Sequence, residues 1–259
     1  MRGRTGRRRR SPRAQFTLTS EPITAARLDA VGRCGATGMP RYGTVECGPI
    51  GYGCAAPEAP DEVHLLHDLH ALIQQGENGG PHAFPHEALF VSSLRPTAPL
   101  ILLNVSLGDQ AVVTRRSCSC PLERLGWATH LHTIRSFEKQ TAGGMTFADT
   151  NVVRVLEEVL PAQFGGGPAS YQIVEEETGT GHPLLRLLVH PEVGPISSDA
   201  VADASLHAIS PGSGAERVMA QLWRDNGVLR VECRPPLVTD SGKVLHLHLR
   251  RAGVGPIRD

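Results

Sequence analysis

Apolar positions along the chain change rhythm near residue 135, from short runs broken by turn residues to helical spacings that alternate with strand-like runs. Residues 16–19 read as a strand leading into Ser20-Glu21-Pro22. Thr24 can then cap a helix that turns Ala25, Leu28 and Val31 inward and ends at Gly35. Residues 39–50 follow as strand and loop, and residues 63–66 as a strand, with Pro57 and Pro60 marking the connection. Gly76, Gly79, Gly80, Pro81 and Pro85 make residues 75–88 a surface loop. Four more short runs, 88–92, 100–105, 111–114 and 130–134, have the spacing of a small barrel or antiparallel sheet.

Beyond Arg135, Asp149 or Thr150 can cap a helix that carries Val153, Leu156 and Val159 and stops at Pro161. Residues 171–175, 184–189 and 228–233 read as strands, and 200–209 and 214–225 as helices. The pattern predicts an α+β protein in two domains, residues 16–135 and 136–259, behind a tail of residues 1–15.

Composition changes this picture little. Apolar residues make up 40% and charged residues 20%, which is ordinary globular usage and argues against disorder. Basic and acidic residues balance at 26 each, so no global field draws in nucleic acid or an anionic membrane. Seven arginines, Arg2 to Arg13, concentrate in the tail. The segment lacks the apolar face of a transit peptide, which favours a solvated start over a targeting signal or an RNA-contacting arm. No run approaches the ~20 apolar residues that span a bilayer, and a cytoplasmic protein is expected. Six cysteines are too few for a disulfide scaffold, and their clustering points to metal.

Cys-x-Cys at Cys118 and Cys120, with Cys54 and His64 on an upstream segment, supplies four soft ligands for a closed tetrahedral zinc site. Cys47 and His67 are rival ligands. Cys34 and Cys233 read as core residues, Trp127 and Trp223 as packing residues. The other histidines, His130 and His70 among them, have no companion set for a triad or a catalytic metal.

The string Tyr42-Gly43-Thr44-Val45-Glu46 supplies a ring that can stack on a base, a glycine that permits close backbone approach, and a carboxylate that can hold Mg²⁺ beside phosphates. With Ser20-Glu21-Pro22 before it, this string resembles the Tyr-Gly-x-Thr-Glu signature of adenylate-forming ligases of the phenylacetate–CoA ligase type. Val45 stands where that family has a threonine, leaving Thr44 as the hydroxyl, and Ser20 stands where it has a glycine. Gly108-Asp109 is similar to the family's ribose-binding Gly-Asp, and Arg135 to the hinge arginine that meets ribose or phosphate. Lys243, in Asp240-Ser241-Gly242-Lys243, resembles the terminal lysine that bridges the carboxylate and the α-phosphate. The Cys54, His64, Cys118 and Cys120 set is likewise similar to a structural zinc arrangement in several phenylacetate-ligase-like proteins.

The resemblance implies the C-terminal part of the ligase large domain, with a small β-barrel-like subdomain, followed by a mobile α+β domain. It implies ATP or AMP bound through Glu21, Pro22, Tyr42, Gly43, Thr44, Asp109 and Arg135, and Mg²⁺ at Glu46. Glu46 and Lys243 would act in catalysis, with a carboxylic acid as substrate and coenzyme A as acceptor. The family's Ser/Thr/Gly-rich phosphate loop is not found, and the family places it upstream of the first residues here. A shortened ligase is therefore expected, with a catalytically inactive zinc-stabilised nucleotide-binding or interaction module as the alternative.

Overall fold

The computed structural model describes residues 14–74, 84–85, 87–98, 100–136, 141–142, 145–146, 152–177, 183–210, 214–240 and 242–250. The arginine tail, the proposed caps Asp149 and Thr150, and most of the 75–88 loop lie outside them. The chain divides into two units, Met1–Ser136 and Phe137–Asp259.

The first unit opens with a strand–helix–strand crossover. β1 (Gln15–Leu18) runs parallel to β2 (Thr37–Thr44), and α1 (Ala25–Arg33) connects them. Thr24 sits in extended conformation and its hydroxyl accepts the Arg27 amide, satisfying one of the free N–H groups of the first turn. Ser20, just before, has φ +70°, the left-handed region that costs a residue with a Cβ about 1–2 kcal/mol. Its position is the one where the ligase pattern has glycine.

After β2 the sheet is antiparallel. β3 (Gly48–Gly53), β4 (Val63–Leu65), β5 (His70–Gln74), β6 (Ala88–Ser93), β7 (Val105–Arg115) and β8 (Thr129–Ser136) complete eight strands in the order β1-β2-β3-β4-β8-β7-β6-β5. The expected barrel-like subdomain is an open sheet: its end strands, β1 and β5, do not pair with each other among the described residues. The expected strand 100–105 is displaced. Leu100 to Asn104 form a connection in which Ile101 and Leu103 are exposed, and β7 starts at Val105 and runs unbroken through Gly108-Asp109.

β5 was hidden because its alternation is inverted. His70 and Gln74 point inward, where the His70 ring nitrogen Nε2 donates to the Pro49 carbonyl at 3.0 Å and the Gln74 amide donates to the Ala111 carbonyl at 2.6 Å, while Ile73 is exposed.

In the second unit, α2 (Val152–Arg154) leads through a π-helical turn (Val155–Val159) into α3 (Leu160–Phe164), so the helix does not stop at Pro161. Proline lacks the N–H for an interior bond, and the wide turn ahead of it, closed by the Leu160 amide on the Val155 carbonyl, carries the helix past that gap. β11 (Tyr171–Glu177), β12 (Pro183–Val189), β13 (Leu229–Cys233) and β14 (Leu247–Arg250) form a sheet in the order β13-β12-β11-β14, with α4 (Ser198–Ile209) and α5 (Gly214–Asp225) between β12 and β13. β9 (Thr141–Ala142) and β10 (Met145–Thr146) make a separate two-residue ladder. Val152, Leu156, Leu160, Leu185, Leu187, Val201, Ile209 and Trp223 belong to one apolar cluster in this unit. Cys34 and Cys233 are exposed, which corrects their assignment to the core: Cys34 is the residue that ends α1, and Cys233 ends β13. Among the described residues no helix is long and apolar enough to cross a membrane.

Candidate functional site

β2 and β3 form a tight hairpin that carries the Tyr42–Glu46 string. The register shifts between Tyr42 and Gly43, and a Cβ on Gly43 would come within 2.5 Å of the Gly48 carbonyl oxygen, so close strand approach excludes any side chain there. Thr44 closes the turn: its hydroxyl accepts the Cys47 amide at 3.4 Å and lies 3.2 Å from the Cys47 thiol. Val45 and Glu46 stand exposed at the tip.

Tyr42, by contrast, is buried, and its hydroxyl donates to Asp109 Oδ2 at 3.0 Å. Burial first, then the Asp109 carboxylate, push the phenol well above its ordinary pKa, so it stays protonated and can donate. Asp109 faces Tyr42 from β7, paired in register with Ser136.

Arg135 lies one register position away, paired with Gln110, and its guanidinium donates to Asp61 at 3.0 Å and to the Ile134 carbonyl. Buried Asp61 also accepts the Thr133 and Ile134 amides at 2.9 and 2.8 Å. Thr133 is itself left-handed, at φ +55°. Asp61 thus fixes the strand that carries Arg135, a role no local spacing reveals because the partners are more than seventy residues apart in sequence. Glu21 pairs with Arg27 of α1, and Pro22 follows it into the helix start.

The thiol and imidazole set also comes together. The ligand atoms of Cys54, His64, Cys118 and Cys120 all lie within 4.8 Å of one another and all four residues are buried; Cys47 and His67 are not among them. His64 Nε2 is 3.6 Å from the Cys118 sulfur and 3.0 Å from the Cys120 sulfur. His64 Nδ1 donates to the Trp127 carbonyl at 2.6 Å, which leaves Nε2 as the lone-pair nitrogen facing the sulfurs.

The Cys-x-Cys turn is braced by Glu123, whose carboxylate accepts from the Cys118 and Ser119 amides and the Ser117 hydroxyl. Burial acts to raise the Cys54 and Cys120 thiols. At Cys120 the amides of Ala55, Leu122 and Glu123 outweigh it and bring the thiol down to about 6, whereas Cys54 is pushed up to about 12. Four such donors in one dry cluster, all cysteines free, match the donor chemistry and number of a structural zinc site.

Sequence reasoning missed the layer beneath. Glu62 is fully buried and binds Arg116, the Glu58 and Ala59 amides, and His130, whose ring lies 4.2 Å from that of His64. Burial raises the Glu62 carboxyl, but the two amides and the Arg116 guanidinium more than offset it and hold it below the usual range. Its signal in the sequence was a Glu just before β4 and a His within β8, which look like surface residues until their partners are known.

Lys243 belongs to the second unit. Its amide donates to the Thr239 hydroxyl at 3.0 Å, its carbonyl accepts the Thr239 amide at 2.9 Å, and Gly242 supplies the left-handed φ of +81° that the turn needs.

No family model matches the sequence, and no curated protein matches it. Solved structures do. ATP-bound MatB from Rhodopseudomonas palustris superposes with a TM-score of 0.51 at 14% identity, over 89% of this chain and 43% of that one. The anthranilate CoA ligase AuaEII in complex with anthranoyl-AMP gives 0.50 at 15% identity, over 89% and 42%. A 2-hydroxyisobutyryl-CoA ligase in its postadenylation state gives 0.50 at 15%, over 90% and 48%. The chain is thus a mixed α/β protein. More closely, its fold is that of the adenylate-forming acyl- and aryl-CoA ligases, spanning less than half the length of these three.

Proposed function

We propose that the chain is the nucleotide-closing and C-terminal part of an AMP-forming ligase of the phenylacetate–CoA ligase type, which joins a carboxylic acid to AMP at the expense of ATP and passes the acyl group to a thiol, coenzyme A. The observation that carries this reading is the contact between Tyr42 and Asp109, two motif residues 67 positions apart whose side chains meet at 3.0 Å. Tyr42 would pack its ring on adenine while Asp109 accepts from the ribose hydroxyls, a task suited to an ionised carboxylate. Gly43 and Thr44 line the approach to the phosphates, Glu46 at the exposed tip holds Mg²⁺, Glu21 and Pro22 shape the preceding turn, and Arg135 meets ribose or phosphate once released from Asp61.

Lys243 would neutralise charge between carboxylate and α-phosphate. Only Lys139 and Lys243 are lysines among 26 basic residues, in a chain that otherwise uses arginine. A compact, mobile ammonium at this turn is therefore a departure from the chain's own habit, and a guanidinium would not replace it in kind. Cys54, His64, Cys118 and Cys120 would hold one structural zinc, which ties the β3–β4 connection to the segment after β7.

The rival reading, a zinc-stabilised binding module without catalysis, draws on Val45 in place of the hydroxyl and on Arg135 occupied by Asp61. The chain extended upstream to full ligase length separates the two. Acid-dependent exchange of pyrophosphate into ATP, lost by at least a hundredfold in Lys243→Ala, is expected, and exchange that survives the substitution removes Lys243 from the chemistry.

A further inference from the structure

Gln172, the second residue of β11, is the one fully buried side-chain amide among the described residues, flanked by Tyr171 and Ile173. A polar side chain placed there is destabilising unless every group finds a partner. Its partners are remote and specific. The Gln172 carbonyl oxygen accepts the Leu237 amide at 2.6 Å, and its NH₂ donates to the Leu237 carbonyl at 3.1 Å and to the Leu245 carbonyl at 2.7 Å. One side-chain amide therefore acts as an extra peptide group, bridging the two ends of the segment that carries Lys243.

A second contact secures the same segment. His246 Nε2 donates to Glu157 Oε1 at 2.5 Å, and Glu157 is buried within the π-helical turn, while the His246 carbonyl accepts the Ile173 amide at 2.9 Å. The wide turn that carries the helix past Pro161 thus also holds a carboxylate against the residue that enters β14. Between these anchors the Thr239–Lys243 bonds tighten the tip. The result is a turn held at both stems by side chains from the unit's core, with an ammonium at its end.

We propose that Gln172, assisted by the Glu157–His246 pair, is a positioning residue for Lys243. It fixes the stems of the 237–245 turn so that the lysine is presented in one place, and it touches neither substrate nor nucleotide. The assignment rests on the reading of Lys243 as the reactive lysine, but the clamp itself can be measured without any ligase activity.

The two-lysine composition supplies the probe, because an endoproteinase that cuts after lysine can cleave the 259-residue chain only at Lys139 and Lys243. In Gln172→Met, which keeps the bulk and removes all three hydrogen bonds, cleavage after Lys243 should rise about tenfold or more. Amide exchange at Leu237 and Lys243 should rise with it. Cleavage after Lys139 and exchange at Leu187 and Val189 should stay as in the parent chain. Gln172→Glu, which keeps only the acceptor, should show the same local loosening. Unchanged cleavage at Lys243 in both variants would overturn the proposal, and so would a rise matched at Lys139, Leu187 and Val189, because that marks general loosening of the unit. A silent Lys243→Ala in pyrophosphate exchange would instead sink the functional reading while leaving this local measurement standing.

Discussion

Among the described residues of 137–259 the core is one apolar cluster, and the buried polar side chains there have protein partners: Glu157 meets His246, Gln172 meets Leu237 and Leu245, and Ser205 meets the Val201 carbonyl. Residues 1–136 are organised differently. Beside an apolar sheet core from Tyr42 to Leu131 stands a separate cluster of Cys54, Cys118 and Cys120 with buried His64, Glu62 and His130 grouped about it, and Asp61 is buried against Arg135 and its strand. The second unit's described core offers apolar burial, which stabilises at roughly 25 cal/mol per Å². At the cysteine end of the first unit, Leu122 is the partly buried apolar residue recorded against the sulfurs, and buried ion pairs take the place of an apolar core.

The largest effect should follow from removing the sulfurs. Cys118→Ser combined with Cys120→Ser is expected to abolish a zinc content close to one per chain by elemental analysis and to destabilise the first unit by several kcal/mol in urea unfolding. A native protein that is well folded and free of metal would end the zinc account. Next in size, Leu160→Ala empties a fully buried position in the other core and should cost about 2–5 kcal/mol in that unit's unfolding transition while leaving the zinc content untouched. A loss of metal in that variant would show that the two regions are not separately organised. The smallest effect is at Ser20. Relief of about 1–2 kcal/mol of left-handed strain, set against roughly 0.5–1 kcal/mol of extra chain entropy, makes Ser20→Gly more stable by about 0.5 kcal/mol in the same assay. A destabilised variant would mean that the serine side chain contributes a contact worth more than the strain.

The same contrast explains what could be read from residues alone. Thr24 announced its helix because an N-cap acts within three residues, and the grouping of Cys54, His64, Cys118 and Cys120 was legible because the short Cys-x-Cys spacing has little packing logic. Tyr42 and Asp109 were visible as motifs, but their meeting is a product of strand order. What stayed hidden depends on compensation over long distances: Asp61 holding Arg135, Glu62 buried under Arg116 and His130, and the inward His70 and Gln74 that invert the pattern of β5. Hydrophobic periodicity counts a buried, satisfied polar group as surface, and it reads Pro161 as a stop because it cannot foresee a π-helical turn.

Titration of the 259-residue chain with AMP, followed by calorimetry, addresses the central assignment most directly. Saturable one-to-one binding that weakens at least tenfold in Asp109→Ala, in a variant whose unfolding midpoint is preserved, is the result the Tyr42–Asp109 geometry predicts. Absence of saturable binding by the parent chain, or equal affinity in the variant, would contradict an adenosine site at this hairpin.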